Sequence, residues 1–228
     1  MLLSRTIHEV PQRLISRVGR LSHALWSNVV QGPSAVILNY HRINVPTSEA
    51  NNVTVSVENF EDHLKVIKGN YLPVSLRSII NGDAFQQAQQ SDLQPVAVTF
   101  DDGYADTYLN AVPLLERYEI PATVFITTGA IGENQEFWWD ELEELFLNHL
   151  GSTERLKFIQ DFERIIGKKI RFDKHDLDEA YRELCIEFKK LSWEQIKKSI
   201  TLLREHSRVS QVLRESHRPV TVNELQLM

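Results

Sequence analysis

Cysteine is nearly absent from this 228-residue chain: Cys185 stands alone, so no internal disulfide can form and a four-cysteine zinc site is excluded. Long apolar runs are missing too. No uninterrupted stretch reaches the length of a signal-peptide core or a membrane span, and a cytoplasmic protein is therefore expected. A basic excess is also lacking; the formal charge of -6 argues against nucleic acid as the main partner. The histidines come singly. None of His8, His23, His41, His63, His149, His175, His206 and His217 lies four residues from another, so no pair can share one helix face at i and i+4. What remains, 42% hydrophobic and 25% charged, is an ordinary globular composition with room for one sizeable core.

The chain is organised around Val96-Ala97-Val98-Thr99-Phe100-Asp101-Asp102-Gly103-Tyr104. Val96, Val98 and Phe100 favour a strand, the run is too short for a helix, and Gly103 permits a sharp turn. Two acids thus stand at a strand's C-terminal end, where α/β sheets place their chemistry. Three readings fit an Asp-Asp-Gly. The acids could cap the helix that follows. One could be a phosphoryl-accepting nucleophile, although adjacent side chains point apart, which disfavours a shared pocket. Or one carboxylate binds a divalent metal while its neighbour acts as general base on water.

Residues 104–118 carry Leu109, Val112, Leu115 and Tyr118 at helical spacing, and 120–127 read as another strand, completing a β-α-β unit. Thr-Phe-Asp-Asp-Gly-Tyr at 99–104, Asp106, Pro113, Leu115, Tyr118, Ile-Pro-Ala-Thr-Val-Phe at 120–125 and Gly129 together resemble the polysaccharide deacetylase family, the NodB homology domain of carbohydrate esterase family 4. The resemblance extends back to a first strand over 35–40 that ends in Tyr40-His41-Arg42. It implies an α/β fold, a partial (β/α) barrel with a helical insertion. It also implies metal-dependent hydrolysis of N-acetyl groups on a polysaccharide or oligosaccharide. Asp101 matches the catalytic base and Asp102 the metal-ligating aspartate, with zinc the expected divalent metal, while His41 and Tyr104 are candidates for substrate contact.

Residues 1–34 read as a basic amphipathic helix, with Arg5, Arg13, Arg17 and Arg20 against Glu9. Such a helix is either packed outside the barrel or laid against anionic membrane. Residues 35–228 form the expected deacetylase domain. Within it, Val57 to Ile67 reads as a helix with Phe60, Leu64 and Ile67 inward, 71–74 as a short strand, and the glutamine-rich 86–90 as a loop. An insertion over about 138–217 is helical by its stripes Leu142, Leu145, Phe146, His149 and Leu177, Tyr181, Leu184, Phe188, with a capping box at Ser192 and Gln195. Phe137-Trp138-Trp139 at its base reads as an anchor to the body, the alternative being a sugar-stacking surface.

A second capping box at Thr221 and Glu224 opens a helix with no closing cap, so the chain reads as cut in mid-helix. The resemblance places a His-x-x-x-His metal motif after that helix, and this sequence has none. The expectation is a deacetylase-like chain that is inactive or incomplete by itself. The competing class is a non-catalytic carbohydrate-binding or interaction remnant, and a weaker one a phosphatase-like enzyme using Asp101.

Overall fold

The structure is a computed structural model that describes residues 33–45, 53–132, 135–170, 176–209 and 214–228. The basic helix expected over 1–34 lies, up to residue 32, outside the described residues. Pro95–Phe100 (β5) is buried along its whole length, and both its edges are occupied. Val36–Tyr40 (β1) pairs in parallel with one edge, Val36 opposite Val96 through Tyr40 opposite Phe100. Two strands share the other edge end to end. Leu72–Pro73 (β4) takes its first half and Ala122–Val124 (β6) its second, both parallel. The N–H groups of Leu72 and Val74 bond to the carbonyls of Gln94 and Val96, and that of Phe125 to the carbonyl of Phe100. Beyond β1, Arg42–Ile43 (β2) pairs in parallel with Thr54–Val55 (β3), a ribbon the sequence did not announce. The result is a parallel α/β arrangement in which every strand pairing among the described residues runs one way, as β-α-β crossovers dictate.

Val57–Asn70 (α1) starts at Ser56, whose hydroxyl accepts the Asn59 N–H. Its inward stripe of Phe60, Leu64 and Ile67 packs on Val96, Val98 and Phe100. Each such fully buried apolar side chain contributes about 1.5–3 kcal/mol. Leu76–Asn81 (α2) and Asp83–Ser91 (α3) follow β4. The second of these corrects the expected loop at 86–90. Glutamine tolerates helix well, Asp83 sits in the favourable first turn, and Ala84 is fully buried, so the stretch coils rather than loops.

The crossover from β5 to β6 is also not a plain helix. Thr107–Ala111 forms a π-helical turn before Val112–Tyr118 (α4). The wider turn rotates the inward face, so Leu109, expected inside, is 51% exposed while Ala111, Leu114 and Leu115 are buried.

The span expected as an insertion is helical: Trp138–Glu143 (α5), a π-helical turn Glu144–His149, Ser152–Ile166 (α6), Leu177–Phe188 (α7) and Trp193–Ser207 (α8). Among the described residues of this span there is no strand. The layer has its own core, built on Phe146, Phe158, Phe162, Tyr181, Leu184 and Phe188. The expected capping box of Ser192 and Gln195 opens α8. His149, placed by the sequence on the inward stripe, instead faces Glu144 at 2.9 Å at the surface. Val222–Leu227 (α9) begins at the capping box of Thr221 and Glu224.

Candidate functional site

The ladder between β1 and β5 ends with the Asp101 N–H bonding to the Tyr40 carbonyl. The chain then turns away through two left-handed residues, Asp102 at φ 68° and Gly103 at φ 81°. Aspartate is among the few side chains that tolerate this region. At 103 nothing larger than hydrogen fits, because a Cβ would stand 2.9 Å from Ile126 Cγ2. The Thr127 N–H donates to the Asp102 carbonyl at 3.0 Å, fixing the turn to the chain just after β6. Backbone strain of this kind concentrates at functional sites.

The two acids meet different surroundings. Asp101 is 40% exposed at its side chain; its Oδ2 accepts from Asn39 Nδ2 at 2.9 Å and lies 3.9 Å from His41 Nε2. The Thr99 hydroxyl, 3.0 Å from Asn39 Oδ1, holds that amide in orientation. Asp102 is more enclosed. Burial pushes its carboxyl pKa up, the nearby His41 draws it down, and the Asp101 charge pushes it up again. One carboxylate is thus open and hydrogen-bonded, the other enclosed, with His41 beside both.

Beneath the rim lies a buried ion pair. Arg42 Nε donates to Asp106 Oδ2 at 3.2 Å, with 3% and 2% of the two side chains exposed. Asp106 also accepts from the Ile43 N–H and from Asn44 Nδ2. Desolvation outweighs these contacts and raises its pKa to about 6. The Arg42 guanidinium lies 5.0 Å from the Tyr104 ring centre and donates to the Ser216 carbonyl. The segment carrying Ser216 returns from the helical layer. It pairs with the loop after Asp102 through Ala105 N–H to Arg218 O at 3.0 Å and Val220 N–H to Gly103 O at 2.9 Å. His217 in this strap is held neutral, its pKa lowered to about 3 by burial and by the fields of Arg42 and Arg214.

Tyr104 links the rim to the helical layer. Its hydroxyl donates to Asp140 Oδ2 at 2.7 Å and accepts from Trp139 Nε1 at 2.6 Å. Asp140 is enclosed enough that desolvation raises its pKa to about 7. Between the two walls opens a cavity of 770 Å³, lined on one side by His41, Arg42 and Asp102 and on the other by Trp138, Trp139 and Lys189.

This segment of sequence matches a known family: the polysaccharide deacetylase profile covers residues 88–150. The chain is 30% identical over 124 residues to YxkH of Bacillus subtilis (strain 168), assigned to the polysaccharide deacetylases; the match covers 53% of this chain and 41% of that one. It is 28% identical over 188 residues to the poly-beta-1,6-N-acetyl-D-glucosamine N-deacetylase of Staphylococcus aureus (strain N315), covering 69% of this chain and 61% of the relative. The chain therefore spans about two fifths to three fifths of the length of these relatives. Among solved structures, the Streptococcus pyogenes deacetylase PplD in complex with acetate overlaps at a TM-score of 0.36 and 22% identity, over 67% of this chain and 81% of that one. IcaB from Ammonifex degensii overlaps at 0.34 and 23%, with the same coverage.

Of the four residues singled out from the deacetylase pattern, Asp101, Asp102 and His41 come together at the C-terminal rim. Tyr104 is 1% exposed and its hydroxyl is committed to Asp140 and Trp139, so here it ties the loop to α5. Catalytic zinc sites take three protein ligands and keep an open position. The described residues do not fit that requirement, since no three His, Cys, Asp or Glu side chains among them converge on one point. Asp102 and His41 supply at most two. Sequence reasoning quoted Arg42 within Tyr40-His41-Arg42 but gave it no role, and it passed over Asp140 and Ser216. Asp140 stood next to the paired tryptophans, but its position has no pattern of its own. The Ser216 carbonyl is a backbone group and has no sequence signal.

Proposed function

We propose that the chain carries the carboxylate rim of a polysaccharide N-deacetylase and binds an N-acetylated glycan across it. The observation that carries this reading is the Asp101–Asp102 turn at the end of β5, with His41 beside both acids and a large cavity in front. Asp101 is exposed enough to reach a water molecule, and Asn39 fixes the oxygen that would take its proton. In a complete site, water so activated would attack the acetyl carbonyl carbon, and the proton taken by Asp101 would pass to the glycan nitrogen as the C–N bond breaks, giving acetate and a free amine. His41, 3.9 Å from Asp101, would orient the acetamido group. Poly-β-1,6-N-acetylglucosamine, the polymer named for one relative, is the first substrate to offer.

A divalent metal, zinc first, is the cofactor this chemistry calls for, and the two candidate ligands among the described residues fall short of a catalytic set. The chain alone is therefore expected to bind glycan and to release no acetate. Zinc and cobalt titration by calorimetry, run beside acetate release from N-acetylated oligosaccharides, tests this. Micromolar metal binding with turnover lost in both Asp101→Asn and Asp102→Asn would show a complete enzyme. The absence of glycan binding would remove the reading altogether. A non-catalytic glycan-binding role is the second reading, favoured by the same shortage of ligands.

A further inference from the structure

A second, smaller pocket of 160 Å³ lies between α5 and α8, and Trp138 is the one residue that its lining shares with the cavity at the rim. From α8 it takes Trp193, Ile196, Lys197, Ile200, Thr201 and Arg204, a spacing of three and four residues that puts all six on one helix face. Ile196 and Ile200 are buried and give an apolar floor, while Trp193 stands exposed. On the α5 side Trp138 is stacked on Phe188, with ring centres 5.3 Å apart and planes 17° from parallel, so that wall is held in place.

The charges around this floor do not cancel. Glu141 accepts from Arg204 Nε at 3.0 Å and from Nη2 at 2.6 Å, and Glu136 accepts from Arg214 Nη2 at 2.6 Å, so each acid of the lining has its own arginine. Lys197 is in no ion pair among the described residues. Its ammonium lies 5.1 Å from the centre of the Trp193 ring, a contact that engages the charge and leaves its N–H donors uncommitted. Arg204 meets Glu141 side-on through Nε and Nη2, and its Nη1 donates to no acceptor among the described residues. An apolar floor is thus bordered by two cationic donors.

Size and charge together select a ligand class. An apolar cavity of about 150 Å³ takes one benzene ring, so this pocket holds a single ring or a branched chain of that size and no oligosaccharide. A carboxylate accepts charge-assisted hydrogen bonds from ammonium and guanidinium groups, which a neutral ring cannot do. Inorganic phosphate would meet the donors but leave the isoleucine floor without an apolar partner.

We infer that the pocket between α5 and α8 binds a small apolar monocarboxylate, its hydrocarbon part on Ile196 and Ile200 between the two indoles and its carboxylate against Lys197 and Arg204. The site is distinct from the carboxylate rim and does not depend on how the rim is read.

The test measures binding of benzoate, benzamide and inorganic phosphate to the 228-residue chain by saturation-transfer NMR and tryptophan fluorescence. Benzoate is expected to bind about tenfold more tightly than benzamide, the worth of one charge-assisted hydrogen bond, and phosphate is expected not to displace it. Lys197→Met keeps an apolar stem beside Trp193 and removes the charge, so benzoate should weaken about tenfold while benzamide stays unchanged. Thr201→Trp, at an exposed position of α8, should fill the pocket and abolish binding of both ring compounds. Far-UV circular dichroism and Tm equal to the parent's establish that both surface variants are folded. Equal affinity for benzoate and benzamide, benzoate binding indifferent to either variant, displacement by phosphate, or no binding of benzoate at all each overturns the site.

Discussion

Replacing Asp106 by alanine tests whether the buried ion pair holds the rim together. Removing one partner of a buried pair costs about 3–5 kcal/mol, because the remaining charge loses its compensation in a site that water does not reach. Arg42 would still donate to the Ser216 carbonyl and face the Tyr104 ring, so the cost should fall toward the lower figure, about 3 kcal/mol. Against a total stability of about 5–15 kcal/mol this is a large fraction. It corresponds to a drop in Tm of about 6–12 °C for a chain of this size. Urea unfolding followed by tryptophan fluorescence gives the free energy from midpoint and slope. Asp106→Asn should cost less, since its amide oxygen still accepts from the guanidinium. The double variant Arg42→Met, Asp106→Leu should recover at least half of the loss, because it leaves no buried charge. If Asp106→Ala lies within about 1 kcal/mol of the parent, or the double variant is as weak as the single one, the pair is not the clamp described here.

Asp140 should leave a pH signature. Its folded pKa of about 7 exceeds the ordinary 3.8, so the folded protein binds the extra proton between those values. The stability from this carboxyl is full below pH 3.8 and is lost as pH rises to 7, a change of about 4 kcal/mol. Asp140→Asn cannot titrate, so melting curves at pH 4 and pH 7 should show the variant gaining on the parent as pH rises; a constant difference refutes the argument. Gly103→Ala should destabilise by about 1–3 kcal/mol, read from the denaturant midpoint, and Ile126→Ala in the same chain, which removes Cγ2, should relieve the tightest contact but not the left-handed backbone. Phe162→Ala, in the stack with Phe158 and Phe188, should cost about 3–5 kcal/mol, with amide exchange in β5 unchanged if the helical layer melts on its own.

The sequence by itself determined the elements that depend on neighbouring residues. The apolar run 95–100 could only be a buried strand, the two acids after it could only stand at that strand's end, and Ser192 with Gln195 and Thr221 with Glu224 marked helix starts by local chemistry. The spacing of Phe60, Leu64 and Ile67 likewise named the inner face of α1 before any partner was known. Local pattern failed where one residue changes a register or where polarity was mistaken for irregularity. A π turn exposed Leu109, and the glutamine run coiled into α3.

Tertiary structure alone decided the rest. Arg42 meets Asp106 across 64 positions and Ser216 across 174, and no sequence period connects them. The Trp139–Tyr104–Asp140 link joins two layers with separate cores, and the cavity exists only in the gap those layers leave. Local propensity is a property of a few adjacent residues and can be read along the chain. A site assembled from distant segments is fixed by how buried charges and aromatic rings find partners, and that is settled only when the layers pack.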